Sequence, residues 1–183
     1  MPDLTLDDQN HYPARAVVDT CVILNVALGD HDNLSPEKLE RSKKLLNDAI
    51  AGKLRLFLPS ICLIELSSWN IITSGQKTPD MQENRLKKRR INQWCADSEF
   101  VMADLTADGA LWYSESPELQ NIKAGDSSVL ATAKFAHATT IYTWDDKLIN
   151  AVRRANGIND SGITAVNPPE LPLALLSEDE VEA

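Results

Sequence analysis

The chain has 183 residues, 43% apolar and 25% charged, with seven glycines and nine prolines, a mixture that excludes a fibrous or disordered protein and fits one domain with a real core. No apolar run approaches ~18 residues, which excludes a membrane-spanning helix, and the acidic start "MPDLTLDDQNHYPAR" has no hydrophobic stretch suited to a secretory signal. The formal charge of −9 reads against nucleic acid, yet its 27 acids include seven at the two ends (Asp3, Asp7, Asp8, Glu178, Asp179, Glu180 and Glu182), without which the body carries only −2.

In chain order, "RAVVDT" reads as a buried strand and "CVILNVAL" as the helix or turn leaving it. "SPEKLERSKKLLNDAIAGK" is the clearest helix. Ser35 is placed to cap it, Pro36 fits its first turn, Leu39, Leu46, Ala49 and Ile50 form its apolar face, and Gly52 ends it. "LRLFLPS" (54–60) is a strand stopped by Pro59, residues 61–74 are helical, and "QKTPD" is a loop. A polar helix runs from Met81 to Ala96. "EFVMADLT" (99–106) is a strand, 107–115 a short helix, and "SPELQNIKAG" a turn. "DSSVLATAKFAHA" (126–138) is a helix carrying Val129, Ala133 and Ala136 on one face. "TTIYTWD" (139–145) is a strand, "DKLINAVRRA" a helix ended by Asn156 and Gly157, and "GITAVNPPEL" holds a last short strand. Apolar strands alternating with helices predict a three-layer α/β/α sandwich around a mainly parallel sheet. Cys21, Cys62 and Cys95 form no CxxC pair and read as small buried hydrophobes in a reducing compartment, so the cytoplasm is the expected location.

In a parallel α/β sheet the loops leaving the strand carboxyl ends share one edge, where ligands bind. Asp19 ends the first strand, Asp126 starts a helix, and Asp145 ends the strand after it. That helix runs roughly 18 Å outward and that strand roughly 20 Å back, returning Asp145 to the edge that Asp126 left. Glu65, about one and a half turns into its helix, can lean over the same edge. Singly, each aspartate reads equally as a helix cap and Glu65 as a solvated side chain. Together, each ionised pair at ~5 Å repels by roughly 3 kcal/mol at an effective dielectric of ~20, and no neighbouring Lys or Arg neutralises the group. Such a cluster calls for a cation, and an all-oxygen donor set suits Mg²⁺ or Mn²⁺.

The ordered set "VVDT", "LPSICLIELS", "GDSSVLATA", "TWDD" and "ITAVNPPEL" resembles the PIN domain, in particular VapC-type toxin ribonucleases. The resemblance implies a PIN-like nuclease domain over residues 15–171, with an N-terminal tail (1–14) and an acidic C-terminal tail (172–183). It implies that Asp19, Glu65, Asp126 and Asp145 are the catalytic, metal-binding quartet, supported by Thr20, Thr143 and Asp146. It also implies single-stranded or structured RNA as substrate, a small antitoxin partner and homodimers. Two departures stand out. Cys21 replaces the Asn or Ser usual after "DT", removing a strong polar partner, and the pattern T-x-D-x-x-L selects Asp145 over Asp146, which reads as a cap. Ser127 and Ser128 read as ordinary helix-start serines.

"NRLKKRR" (84–90) places Arg85, Lys88 and Arg89 on one helical face and Lys87, Arg90 and Trp94 along another. The two readings are a solvated surface and an RNA-backbone patch. Trp69 and Trp94 read as core residues or as base-stacking platforms. His11, His31 and His137 lie in none of the motifs, so histidine acid–base chemistry is not expected. The favoured function is a metal-dependent endoribonuclease, and the alternative a PIN-like scaffold with weak or no catalysis. A Mg²⁺-dependent phosphatase is disfavoured because "DTCVI" lacks the second acid of DxDxT.

Overall fold

A computed structural model describes residues 12–28, 35–68, 80–98, 100–156 and 161–171. Within them the order is β1 (Arg15–Val18), α1 (Thr20–Ala27), α2 (Pro36–Ile50), β2 (Arg55–Pro59), α3 (Ser60–Leu66), α4 (Met81–Asp97), β3 (Val101–Ala103) and α5 (Ala107–Ser114). A 3-10 turn (Pro117–Leu119), α6 (Ala124–Phe135), β4 (Thr140–Tyr142), α7 (Asp146–Asn156) and β5 (Thr164–Val166) complete it. The five strands form one sheet in the order β3-β2-β1-β4-β5, and every pairing is parallel. In register, Val17 lies between Phe57 and Ile141.

Parallel strands must be joined by crossovers, and those crossovers are right-handed. Two successive steps run outward from β1 to β2 and β3, which places α1 to α4 on one face. The return past β1 to β4 and β5 places α5 to α7 on the other. The contacts agree: α1 packs on α2, α3 and α4, whereas α6 packs on α5 and on β1, β2 and β4. Helices on both faces explain why the central strands are apolar throughout, with Ala16, Val17, Val18, Leu58 and Ile141 at 0% exposure. On α7 the buried residues are Leu148, Val152 and Ala155, an i, i+4, i+7 stripe. Each fully buried leucine or isoleucine contributes about 1.5–3 kcal/mol.

Several local expectations change. The strand expected over 99–106 is hydrogen-bonded only at Val101–Ala103, on the sheet edge, where it has one neighbour. Ser35 holds the cap position of α2 but makes no side-chain cap bond, and Ile50 is 58% exposed while Leu45 and Ser42 are buried instead. Pro59 sits inside β2 as its last residue, and α3 follows at once. The helix expected to start at Asp126 begins at Ala124, so Asp126 lies in its first turn and is not its cap. Tyr12, just ahead of β1, packs against the core and donates its hydroxyl to Asp48 Oδ2 at 2.7 Å.

Candidate metal centre

The sheet order makes the carboxyl ends of β1 and β4 the place where the chain departs in opposite directions, the switch point at which open α/β sheets bind ligands. Asp19 follows β1 there, and its N–H continues the ladder by donating to Tyr142 O at 3.0 Å. Its backbone is extended (φ −88, ψ 158) and it caps α1, Oδ1 accepting the Thr20 N–H at 2.7 Å. Asp19 is therefore a cap, and it is more than one. Oδ2 accepts the Thr143 hydroxyl at 2.6 Å and the Cys21 thiol at 3.2 Å. Thr143, fully buried, in turn accepts the Asp145 N–H at 2.9 Å. One hydroxyl thus ties the ends of the two strands together.

A second hydroxyl does the same for Glu65. Thr20 Oγ1 donates to Glu65 Oε2 at 2.5 Å across 45 residues. Ligand atoms of Asp19, Cys62 and Glu65 all lie within 4.8 Å of one another. Burial pushes the Cys62 thiol far up, which leaves oxygen as the donor at neutral pH. α3 reaches α6 across the sheet edge, and Glu65 Oε1 lies 2.8 Å from where a Cβ on Gly125 would stand. Only a glycine lets that carboxylate rest on the first turn of α6.

Asp126 joins the group electrostatically. Burial raises its pKa, the charges of Asp145 and Asp19 raise it further, Lys123 lowers it, and Glu65 adds to the rise. Lys123, three residues ahead in sequence, is thus a cation that the sequence reading left out, although it relieves Asp126 only in part. Asp145 Oδ1 accepts the N–H groups of Lys147 and Leu148 at 2.7 and 3.4 Å, so Asp145 caps α7. The expected cap, Asp146, is the exposed first residue of that helix. Among the described residues no Lys or Arg forms an ion pair with Asp19, Glu65, Asp126 or Asp145.

Cys21 fills the polar place that its identity had put in doubt. Its sulfur accepts the Trp144 N–H at 3.1 Å and lies 3.4 Å from Thr143 Oγ1. Burial, then the charge of Asp19, pushes its thiol up to about 12, so it stays protonated and donates to Asp19. Ser127 and Ser128 bond carbonyls of their own helix and the turn before it, away from the carboxylates. On α4, Arg85, Arg89 and Arg90 are exposed and Lys88 is half-buried. Lys87 is buried and pairs with Glu83 at 3.3 Å. Trp94 is half-buried with Phe100 at 5.5 Å between ring centres, and Trp69 lies outside the described residues.

No protein-family model matches the sequence, and no curated protein matches it. Solved structures do share the fold. A structure of FitAB bound to the IR36 DNA fragment matches with a TM-score of 0.58 at 18% identity, covering 86% of this chain and 97% of that one. FitAcB from Neisseria gonorrhoeae matches with a TM-score of 0.54, also at 18% identity, covering 84% and 97%. The α/β sandwich is therefore a fold that known structures share.

The donor set fits a hard dication. Carboxylate oxygens of Asp19 and Glu65 lie within 4.8 Å of each other, Asp126 feels their charges and that of Asp145, no described Lys or Arg forms an ion pair with any of the four, and Gly125 leaves room for Glu65. Such a site is suited to Mg²⁺ or Mn²⁺.

Proposed function

We propose that this protein is a Mg²⁺- or Mn²⁺-dependent endoribonuclease of the PIN type. The observation that carries the reading is a set of carboxylates held in place without a paired cation among the described residues: Thr143 holds Asp19 and Thr20 holds Glu65 at the sheet edge, and burial first, then the charges of Asp145, Asp19 and Glu65, raise the pKa of Asp126. A fold gains nothing in stability from that arrangement, and groups perturbed in this way cluster at functional sites. Asp19 and Asp126 are the principal metal ligands in this reading, with Glu65 and Asp145 completing the site. The bound ion supplies Lewis-acid polarisation of the phosphodiester and a water of lowered pKa, for in-line cleavage leaving 5′-phosphate and 3′-hydroxyl ends.

The chain's own residues hold that arrangement. Thr143 and Cys21 fix one oxygen of Asp19, Thr20 fixes one oxygen of Glu65, and the α7 N-terminus fixes one oxygen of Asp145. Arg85, Lys88 and Arg89 on α4 are the proposed contacts to RNA backbone flanking the site. The shared fold with FitAB and FitAcB supports the PIN-type resemblance, and with it an antitoxin-like protein partner; a homodimer is proposed from the resemblance alone. No described helix is long and apolar enough to cross a membrane. All three cysteines are free, which fits the proposed placement in a reducing cytoplasm. The rival reading, a PIN-like scaffold, gives no reason to keep repelling carboxylates together.

Cleavage of mixed RNA by the purified protein with Mg²⁺, with Mn²⁺ and with EDTA tests this directly. Cleavage is expected only with a dication, and Asp19→Asn or Asp126→Asn should lower it by at least about a hundredfold, several kcal/mol of lost transition-state stabilisation. Activity that survives chelation and both substitutions would reject the reading, and RNA binding without turnover in either ion would favour the scaffold.

A further inference from the structure

The exposed face of α7 carries Lys147, Asn150, Arg153 and Arg154, and these four side chains by themselves line a shallow open groove. The face arises from the helical period. Leu148, Val152 and Ala155 turn into the core, which leaves positions i, i+3 and i+7 from Lys147 aligned outward. Their charges are not spoken for. Lys43, Lys44, Lys53, Lys87 and Arg41 each pair with a carboxylate, whereas Lys147, Arg153 and Arg154 have no acidic partner among the described residues. Arg153 donates to Asn150 Oδ1 at 3.2 Å and Arg154 to Asn150 O at 3.3 Å. Asn150 thus steadies both guanidinium groups while most of their donors point outward. The helix dipole accounts for two arginines in the last turn. It does not account for Lys147 in the first, where a cation is disfavoured unless an anion is brought to it.

The groove also starts at the right place. α7 follows Asp145 with no intervening loop, so Lys147 stands two residues from a site carboxylate, and Arg154 lies about 10 Å farther along the axis. The 3-10 turn leading toward Lys123 packs on α7, and the charge of Lys123 reaches Asp126. The cations Lys147, Arg153 and Arg154 therefore run down α7 from the residue that follows the carboxylate edge.

We propose that this face of α7 binds the phosphodiester backbone of single-stranded RNA next to the bond that is cut. The proposal rests on the ribonuclease reading and extends it to a surface distinct from α4. RNA is favoured over an acidic protein because the groove leads into the carboxylate edge, where a phosphodiester must pass. Positive charge alone matches the phosphate backbone, and the interaction needs no base identity.

The test uses the full chain carrying Asp126→Asn and a fluorescein-labelled, mixed-sequence single-stranded RNA, with anisotropy read between about 50 and 200 mM KCl. Changing Lys147, Arg153 and Arg154 together to Ala should weaken binding by about tenfold or more and flatten the log Kd against log salt slope by about 2, since each lost single-strand phosphate contact removes ~0.7. The charge-keeping set Lys147→Arg, Arg153→Lys and Arg154→Lys should bind within about threefold of its parent. Unchanged affinity and slope in the alanine set would overturn the proposal, as would equal loss in the charge-keeping set. So would competition by polyglutamate as effective as by unlabelled RNA, which would assign the surface to an acidic protein. If the unsubstituted protein still cleaves RNA in any of these cases, the α7 assignment fails alone. If it neither binds nor cleaves RNA, the ribonuclease reading fails with it.

Discussion

Asp48 and Asp126 are both helical aspartates drawn partly out of water, and their carboxyl groups move in opposite directions. At Asp48, 7% exposed, burial works to raise the pKa, but Lys44 at 2.7 Å, the Tyr12 hydroxyl at 2.7 Å and Lys53 at 3.0 Å lower it below the ordinary carboxylate range. At Asp126 burial has the same sign, and the neighbours Asp145 and Asp19 add to it. Desolvation is common to the two, so the difference is set by the charges beside them. One carboxylate has been supplied with cations and ties α2 to the segment ahead of β1 and to the turn after Gly52. The other has been left among its own kind, at the edge of the sheet where ligands bind.

The largest expected effect is on the uncompensated site. Saturating Mn²⁺ at about 100 times its Kd should stabilise the protein by about 2.7 kcal/mol, read as a rise in Tm against an EDTA control. Asp126→Asn should lose most of that rise while being no less stable than the parent without metal, because it removes a repelling charge. A metal-free variant that melts well below the parent would break the comparison by making Asp126 a stabilising residue like Asp48.

Next in size is the compensated site. Asp48→Asn should cost about 2 kcal/mol at neutral pH, since hydrogen bonds to a charged group contribute ~1.5–3 kcal/mol, measured by urea unfolding. The sign with pH follows from the lowered value. The ionised form is favoured in the folded state, so this stability is present above the unfolded carboxylate pKa of about 3.9. It is lost as pH falls through the lower folded value. The gap between parent and variant should close over that acidic window, and a gap independent of pH would show that packing rather than charge is at stake.

The smallest effect sharpens the site itself. Gly125→Ala should favour the α6 helix slightly yet displace Glu65, whose Oε1 lies 2.8 Å from the new methyl, and so break its bond to Thr20. Mn²⁺ affinity by calorimetry should fall about tenfold, or ~1.4 kcal/mol. Unchanged affinity would mean that Glu65 is not among the ligands.

Much of the fold was legible because it is written in local terms. Short apolar runs such as "AVV" and "LFLP", rich in β-branched and aromatic residues and bounded by turns, read as strands covered on both faces, and "DKLINAVRRA" repeats its apolar residues with the helical period. Edges were less legible. Val101–Ala103 is short because it has a partner on one side alone, a condition that no property of "EFVMADLT" reveals. At the site, the acidic residues could be singled out by their places at strand and helix ends, but not their supports. Cys21 read as a small hydrophobe, and its bond to Trp144 exists only because β4 lies beside β1. Lys123 and Gly125 were in view next to Asp126. The register of α6, which starts two residues earlier than expected, decided that one of them relieves a charge and the other makes room for one.

Taken alone, the sequence determined the layer type, the parallel strands and which carboxylates end up at element ends, because these follow from side-chain periodicity over a few residues. Tertiary structure alone decided which hydroxyl holds which carboxylate: Thr20 with Glu65 and Thr143 with Asp19, pairs 45 and 124 residues apart. The physical reason is range. Hydrophobic patterning acts through neighbours along the chain, whereas a hydrogen bond of 2.5 Å depends on strand order and crossover hand, which are settled only when the whole sheet has closed around its core.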